Sequence, residues 1–313
     1  MISVLMPIYN EGEQIYNNVV KVMSILQEHK IDHDFILIND GSSDNTWNEL
    51  QRLSNDFNNI SIISFSRNFG KEPALCAGLD NFNNDVCIIL DADLQHPPEL
   101  IPQMVQLWSE QGYDVVEGIK SSRGKESLLS KFTASTFYKL FNKACGIDLN
   151  NASDFKLIDK KVVNAWKMMP ESITFFRGMS AWVGYKRIQI PFEVQERTSG
   201  ISKWSIRGLT NLAVQAITSY SSIPLQMITW LGGIMLIIDL ILFIQTLFMK
   251  FSGKAFTGFT TVILLLLGIG SCLMICLGII GTYISKIYDE VKRRPRYLIA
   301  YKEGKGFAKN EHN

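Results

Sequence analysis

The sequence predicts an α/β domain with a mainly parallel sheet, followed by an interfacial helix and two membrane-spanning helices. Three observations carry that expectation. Short apolar runs alternate with helical patterns through the first half of the chain, and polar residues gather just past the end of each run. Two long apolar stretches, Ile223 to Met249 and Thr257 to Ile284, lie towards the carboxyl end. Each exceeds the ~20 residues that a helix needs to cross a hydrocarbon core.

The opening Ile2-Ser3-Val4-Leu5-Met6 lacks a basic leader and a small-residue cleavage site, so it is expected to be a strand. Pro7-Ile8-Tyr9-Asn10-Glu11 follows, and then Ile15, Val19, Val22, Met23 and Leu26 recur at helical spacing. A second strand, Phe35 to Ile38, ends in Asn39-Asp40-Gly41-Ser42-Ser43-Asp44, where Ser43 or Asp44 is a natural cap for a helix carrying Trp47, Leu50 and Leu53. Ile60 to Phe65 is a third strand, and Arg67-Asn68-Phe69-Gly70-Lys71 leads into a helix with Ala74, Leu75 and Leu79. The fourth apolar run, Val86 to Leu90, delivers Asp91 and Asp93 before Pro97-Pro98 turns the chain.

Alternation of this kind means right-handed crossovers, and ligands in such sheets bind at the carboxyl ends of the strands. Asp40, Arg67, Lys71, Asp91 and Asp93 all fall at such ends. Carboxylate oxygens suit a hard divalent ion, Mg²⁺ or Mn²⁺, that keeps positions open for phosphates. Further on come Lys120, Arg123, Lys125 and Lys131, an amphipathic helix around Phe132 to Ala144, Asp154, and a strand near Lys186 to Pro191. Arg197 to Ser205 reads as a polar loop, and Ile206, Leu209, Leu212, Ala213 and Ile217 as a helix lying in the membrane interface. The expected division is therefore 1–204 for the α/β domain, 205–222 for the interfacial helix, 223–284 for the hairpin and 285–313 for a basic tail.

The net charge of +1 gives no global signature of nucleic-acid binding. Five cysteines without a CxxC pair fit a reducing compartment. Lys286, Lys292, Arg293, Arg294 and Arg296 follow the second apolar stretch and Arg197, Lys203 and Arg207 precede the first, against Lys250 and Lys254 between them. The bias of basic residues places the large domain and both termini in the cytoplasm. Asp239 lies mid-span, a costly position against lipid that fits a helix–helix or homo-oligomer contact, or else a polar path for a lipid headgroup.

Pro7-Ile8-Tyr9-Asn10-Glu11, Asn39-Asp40-Gly41-Ser42-Ser43-Asp44, Ser66 to Lys71, Asp91-Ala92-Asp93-Leu94-Gln95-His96-Pro97-Pro98-Glu99, Ser153-Asp154-Phe155 and Ser202-Lys203-Trp204-Ser205 together resemble the inverting glycosyltransferases of family 2 with a GT-A, Rossmann-like fold. More narrowly they resemble the polyprenyl-phosphate glycosyltransferases, the group of the bactoprenol glucosyltransferases and dolichol-phosphate mannosyltransferases. That resemblance implies that Pro7, Tyr9, Glu11, Asp40 and Lys71 hold a nucleotide sugar, that Asp91 lies along its diphosphate, and that Asp93 with Gln95 binds the metal. It implies that Asp91, Asp93 and Asp154 carry the chemistry, Asp154 as a base or an orienting group. Lys120, Arg123, Lys131, Arg197 and Lys203 would receive a polyprenyl phosphate. Lys120 and Lys156 stand where relatives often carry arginine, and Trp204 where they carry tyrosine; lysine offers a point charge in place of a fork.

The implied reaction moves a sugar, first choice glucose from UDP-glucose and then N-acetylglucosamine or mannose, to undecaprenyl phosphate at the cytoplasmic membrane face. A flippase and an envelope glycosyltransferase would act downstream. A processive polysaccharide synthase would carry Gln-x-x-Arg-Trp and more membrane helices, and the sequence has neither. A non-catalytic nucleotide-sugar-binding scaffold would be expected to have lost Asp91 or Asp93, and a nucleotidyltransferase would release pyrophosphate.

Overall fold

The computed structural model describes residues 1–120, 153–169, 176–192, 223–252 and 258–304. Contacts divide the chain into two units, one holding the α/β domain together with residues 294–313 and the other holding residues 203–293. The expected helix over 132–144, the interfacial helix over 206–222 and the loop motif at 202–205 lie outside the described residues.

The first unit is built on β1 (Ile2–Ile8), β2 (His33–Asn39), β3 (Ile60–Phe65) and β4 (Val86–Ile89), separated by α1 (Ile15–Glu28), α2 (Thr46–Asp56) and α3 (Lys71–Asp80). β1 pairs in parallel with both β2 and β4, and β2 pairs in parallel with β3. The chain thus winds outward from β1 in both directions. The loops after β1 and β4 fall side by side at that reversal, the place where open α/β sheets form a binding crevice.

α1 buries Ile15, Val19, Val22, Met23 and Leu26, the stripe expected from their spacing. α2 starts at Thr46 with Asn45 as its N-cap, one residue beyond the expected Ser43 or Asp44, and the Thr46 N–H donates to Asp44 Oδ1 at 3.0 Å. α3 lies so close to the sheet that a Cβ on Gly78 would stand 3.2 Å from Ile38 Cδ1. Gly41 has φ +62, and a Cβ there would come within 2.4 Å of the Arg67 backbone. Only glycine lets the loops after β2 and β3 touch at that point.

Beyond α4 (Ile101–Gln111) the sheet becomes mixed. β5 (Val115–Lys120) and β6 (Lys156–Asp159) run antiparallel to each other, and β6 runs antiparallel to β4. α5 (Lys160–Lys167) and α6 (Phe176–Trp182) precede β7 (Arg187–Phe192), which pairs in parallel with β5. The complete order is β7-β5-β6-β4-β1-β2-β3-β8, where β8 is Ile299–Glu303. The four-residue β6 is hard to read as a strand because it begins with the buried Lys156 and ends with Asp159, leaving only Leu157-Ile158 as an apolar signal.

β8 belongs to the segment expected to be a tail. It covers the outer edge of β3 in antiparallel register, from Ile62 opposite Glu303 to Phe65 opposite Ile299. Pairing removes an open sheet edge. Tyr297 stacks on Phe65 at 5.1 Å and donates its hydroxyl to Asp80 at 2.8 Å, and Trp47 meets Tyr301 edge-on at 5.0 Å.

In the second unit, α7 (Ile223–Phe251) and α8 (Phe259–Lys292) are each long and apolar enough to cross a membrane by length and composition. Large apolar side chains stand exposed along both, among them Trp230, Phe243, Met274 and Ile284.

Candidate active site

The carboxyl ends of β1, β2 and β4 and the start of α3 enclose one cleft. Pro7, Tyr9, Glu11, Asp40, Lys71, Asp91 and Asp93 all line it, together with Asn68 and Gly70. Tyr9 stands half out in solvent at its rim. Every residue expected to handle the donor, Gln95 apart, is therefore brought together by the fold.

Asp40 is buried and accepts two backbone N–H groups, from Phe69 at 2.7 Å and Gly70 at 2.8 Å. Burial pushes its carboxyl above the usual range, and those two bonds oppose the rise. Its first task is thus to fix the loop that presents Asn68, Gly70 and Lys71. Glu11 is also pushed upward, by burial first and then by the negative charges of Asp93 and Asp44.

Asp93 is exposed, and its Oδ1 accepts the Gln95 backbone N–H at 3.1 Å. The Gln95 side chain is half-buried beside the cleft and is not part of its lining. Among the described residues no group of three or more His, Cys, Asp or Glu converges as a cage for a metal. The fit is instead to an ion held by a carboxylate or two and completed by substrate oxygens, the habit of Mg²⁺. Glu11 and Asp93 both line the cleft, so two hard oxygen donors share that space.

Lys71 joins this face to a second cluster. Its Nζ lies 2.6 Å from Asp91 Oδ1 and 2.8 Å from Asp154 Oδ2. Asp154 is buried and also takes two hydrogen bonds from Arg177, Nε to Oδ1 at 2.7 Å and Nη2 to Oδ2 at 2.8 Å. Burial would raise its carboxyl. The hydrogen bonds and charge of Arg177, and then of Lys71, hold it well below the ordinary carboxylate range. For Lys71 burial acts downward, and Asp91 and Asp154 overcome it, so the ammonium is held above its usual range.

His96 lies 3.8 Å from Asp91 Oδ2 and 3.4 Å from Ser153 Oγ, packed on the rings of Phe155 and Phe192 at 5.5 and 5.6 Å. Behind the cluster Lys156 and Glu117 form a fully buried pair at 2.9 Å, and Gln189 donates to Glu117 at 3.2 Å. Lys156 therefore faces inward and away from solvent. Lys120 ends β5, and Arg123, Lys131, Arg197 and Lys203 lie outside the described residues.

Arg177, Glu72 and His96 enter the cluster without a sequence motif that marks their part in it. Arg177 precedes a lone glycine in no motif, and only the fold carries it to Asp154 across 23 positions. His96 did stand inside the quoted Asp91-to-Glu99 motif, which was a usable signal.

Comparison with known proteins places these residues in context. The sequence profile described as "Glycosyl transferase family 2" matches residues 3–165. A protein named "Uncharacterized glycosyltransferase sll0501", from Synechocystis sp., is 38% identical over 304 residues, covering 96% of this chain and 94% of its own length. The "Bactoprenol glucosyl transferase" of Shigella phage SfX is 37% identical over 311 residues, covering 95% and 98%. Among solved structures, glucosyl-3-phosphoglycerate synthase from Mycobacterium tuberculosis, described in complex with Mn²⁺ and UDP-glucose, aligns at a TM-score of 0.46 and 18% identity, covering 70% of this chain and 77% of that one.

Proposed function

Because the chain belongs to glycosyl transferase family 2, we propose that its cleft transfers a sugar from a nucleotide sugar to a polyprenyl phosphate at the cytoplasmic face of the cell membrane. The observation that carries this reading is one cleft in which carboxylates at the ends of β1 and β4 stand beside a lysine, where a donor diphosphate and its ion would lie. Lys71 in that lining holds Asp91 and links it to the Asp154–Arg177 pair behind.

In the transfer, the bond from the sugar C1 to the nucleoside diphosphate breaks as an oxygen of the acceptor phosphate attacks C1 from the opposite face. The anomeric centre inverts, and the nucleoside diphosphate leaves. A divalent ion, Mg²⁺ or Mn²⁺, on Asp93 and Gln95 would offset the charge that develops on the leaving group. Pro7, Tyr9, Glu11 and Asp40 bind the nucleoside, and Asp91, tethered by Lys71, lies along the diphosphate. A phosphate monoester has a second pKa of about 6 and is largely dianionic near neutral pH, so attack needs no strong base. Asp154, with both oxygens given to cations, serves as an orienting group for Lys71 and Arg177. Lys120, Arg123, Lys131, Arg197 and Lys203 receive the lipid phosphate.

Glucose from UDP-glucose is the first-choice donor, supported by the likeness to the bactoprenol glucosyl transferase of Shigella phage SfX. N-acetylglucosamine and mannose donors are the alternatives. The membrane reading is supported by the two apolar helices. It is also supported by β8: a chain that leaves the sheet domain, makes two crossings and then adds a strand to the same sheet must come back to the side it left. The excess of basic residues flanking the hairpin makes that side the cytoplasm. Homo-oligomer contacts through the hairpin and a downstream flippase and envelope glycosyltransferase complete the proposal.

The test is purified full-length protein with polyprenyl phosphate, Mg²⁺ or Mn²⁺ and a panel of labelled nucleotide sugars. Label should enter the lipid fraction from UDP-glucose. Absence of labelled lipid from every donor, or release of pyrophosphate from a nucleoside triphosphate, would overturn the reading.

A further inference from the structure

Glu72 follows Lys71 in the first turn of α3 but serves a different partner. Its Oε2 accepts the backbone N–H of Phe176 at 2.7 Å, from the first residue of α6 and 104 positions further along the chain. Phe176 is buried, with its ring 5.5 Å from Nζ of Lys156. The next residue, Arg177, makes the two hydrogen bonds to Asp154 that Lys71 completes from the other side. Neighbouring residues of α3 thus hold one cluster by two routes, Lys71 directly and Glu72 through the helix end from which Arg177 reaches.

We propose that Glu72 is a positioning residue for the transfer: its carboxylate anchors the start of α6 and so sets the reach of Arg177 to Asp154. The role in transfer rests on the reading of the cleft given above; the anchor stands on geometry alone. α6 has seven residues, fewer than a helix needs to hold itself together, so its place depends on side chains outside it. The N–H groups of a first helical turn have no partner within the helix, and a carboxylate satisfies one of them with favourable charge.

The charged groups facing Glu72 come from three elements: Asp154 ahead of β6, Arg177 on α6 and Lys71 on α3. Burial is the largest influence on its proton, and Asp154 adds to it against Phe176 N–H, Arg177 and Lys71, so that the carboxyl is pushed up to about 7. The anchor therefore gains its charge across the neutral range. A protonated carboxyl accepts the N–H more weakly than a carboxylate does.

The experiment uses the full chain in detergent or liposomes and reads amide hydrogen exchange over residues 176–182, together with transfer rate from pH 6 to 8.5. Glu72→Ala should speed exchange of these amides and slow transfer, each by about tenfold, the effect expected for one lost charge-assisted hydrogen bond. Glu72→Gln keeps an acceptor oxygen without the charge. It should restore most of the protection and abolish the rise in rate through pH 7. Wild-type exchange in Glu72→Ala, or an unchanged pH rise in Glu72→Gln, would overturn the proposal, and the Gln variant alone decides it if the Ala variant does not fold. Should the wild type transfer no sugar from any donor, the functional reading falls, and exchange by itself decides the anchor.

Discussion

Arg177 grips Asp154 with two hydrogen bonds of 2.7 and 2.8 Å, so both oxygens of the buried carboxylate are committed to a guanidinium. Its folded-state proton affinity lies below its unfolded one. The sign then follows: Asp154 contributes stability that is present above the unfolded value of about 3.9 and is lost as pH falls through the folded value. It stays ionised throughout the neutral range and gives the pH–rate profile no limb there. Asp154→Asn leaves Lys71 and Arg177 without their shared counter-charge. The expected cost is about 3 kcal/mol, as for breaking a buried pair from one side. Thermal unfolding by circular dichroism checks it, and an unchanged midpoint would count against the clamp.

Asp93 is exposed and carries no ion-pair partner among the described contacts, so its removal should leave the fold intact. Asp93→Ala is expected to lower metal-dependent transfer by roughly 100-fold, the scale of losing a group that stabilises developing charge. Chelation of the divalent ion should reduce the wild type to a similar level. A variant that keeps full rate with labelled donor, while its unfolding curve matches the wild type, removes the metal from Asp93.

The donor half of this cleft was legible in sequence because each of its residues follows an apolar run, and strand ends converge at a topological reversal. The Gln95 side chain stands beside the lining, while its backbone N–H is given to Asp93 Oδ1 at 3.1 Å. The second half was less legible. Arg177 meets Asp154, and Glu72 meets the Phe176 N–H, only through long-range folding, and no spacing in the chain encodes a contact across 104 positions. β6 hid between Lys156 and Asp159, since charged residues at both ends leave too short an apolar run to mark a core strand. β8 hid in a segment rich in charge, as edge strands often are.

Lys156 and Glu117 are both excluded from solvent and lie 2.9 Å apart. Burial lowers the lysine's proton affinity, and Glu117 opposes the fall. Breaking such a pair from one side is costly, whereas replacing both partners by apolar groups is often neutral. Lys156→Met is expected to destabilise the domain by about 3–5 kcal/mol, and Lys156→Met with Glu117→Leu to recover most of that loss. A double-mutant cycle on denaturant midpoints measures the coupling. Additive losses would show that the two charges do not depend on each other.

Tyr297 ties the returning chain to the donor cleft. Its ring stacks on Phe65, whose edge meets Phe69 at 5.8 Å, and Phe69 gives its N–H to Asp40. The backbone reinforces the link, because Ser66 donates its N–H to the Leu298 carbonyl at 3.0 Å. The hydroxyl reaches Asp80 at the far end of the helix that begins with Lys71. Burial, followed by that carboxylate, pushes the phenol upward, so it keeps its proton and donates throughout the physiological range. Tyr297→Phe removes one hydrogen bond to a charged acceptor and should cost about 1.5 kcal/mol with little change in donor affinity. Tyr297→Ala also removes the stacked ring, for which a loss of about 3 kcal/mol is expected. It should raise the KM for donor more than it lowers kcat, because the loop presenting Asn68 and Gly70 loses its backing. Steady-state kinetics at saturating acceptor separates these effects, and equal losses in both variants would assign Tyr297 to stability alone.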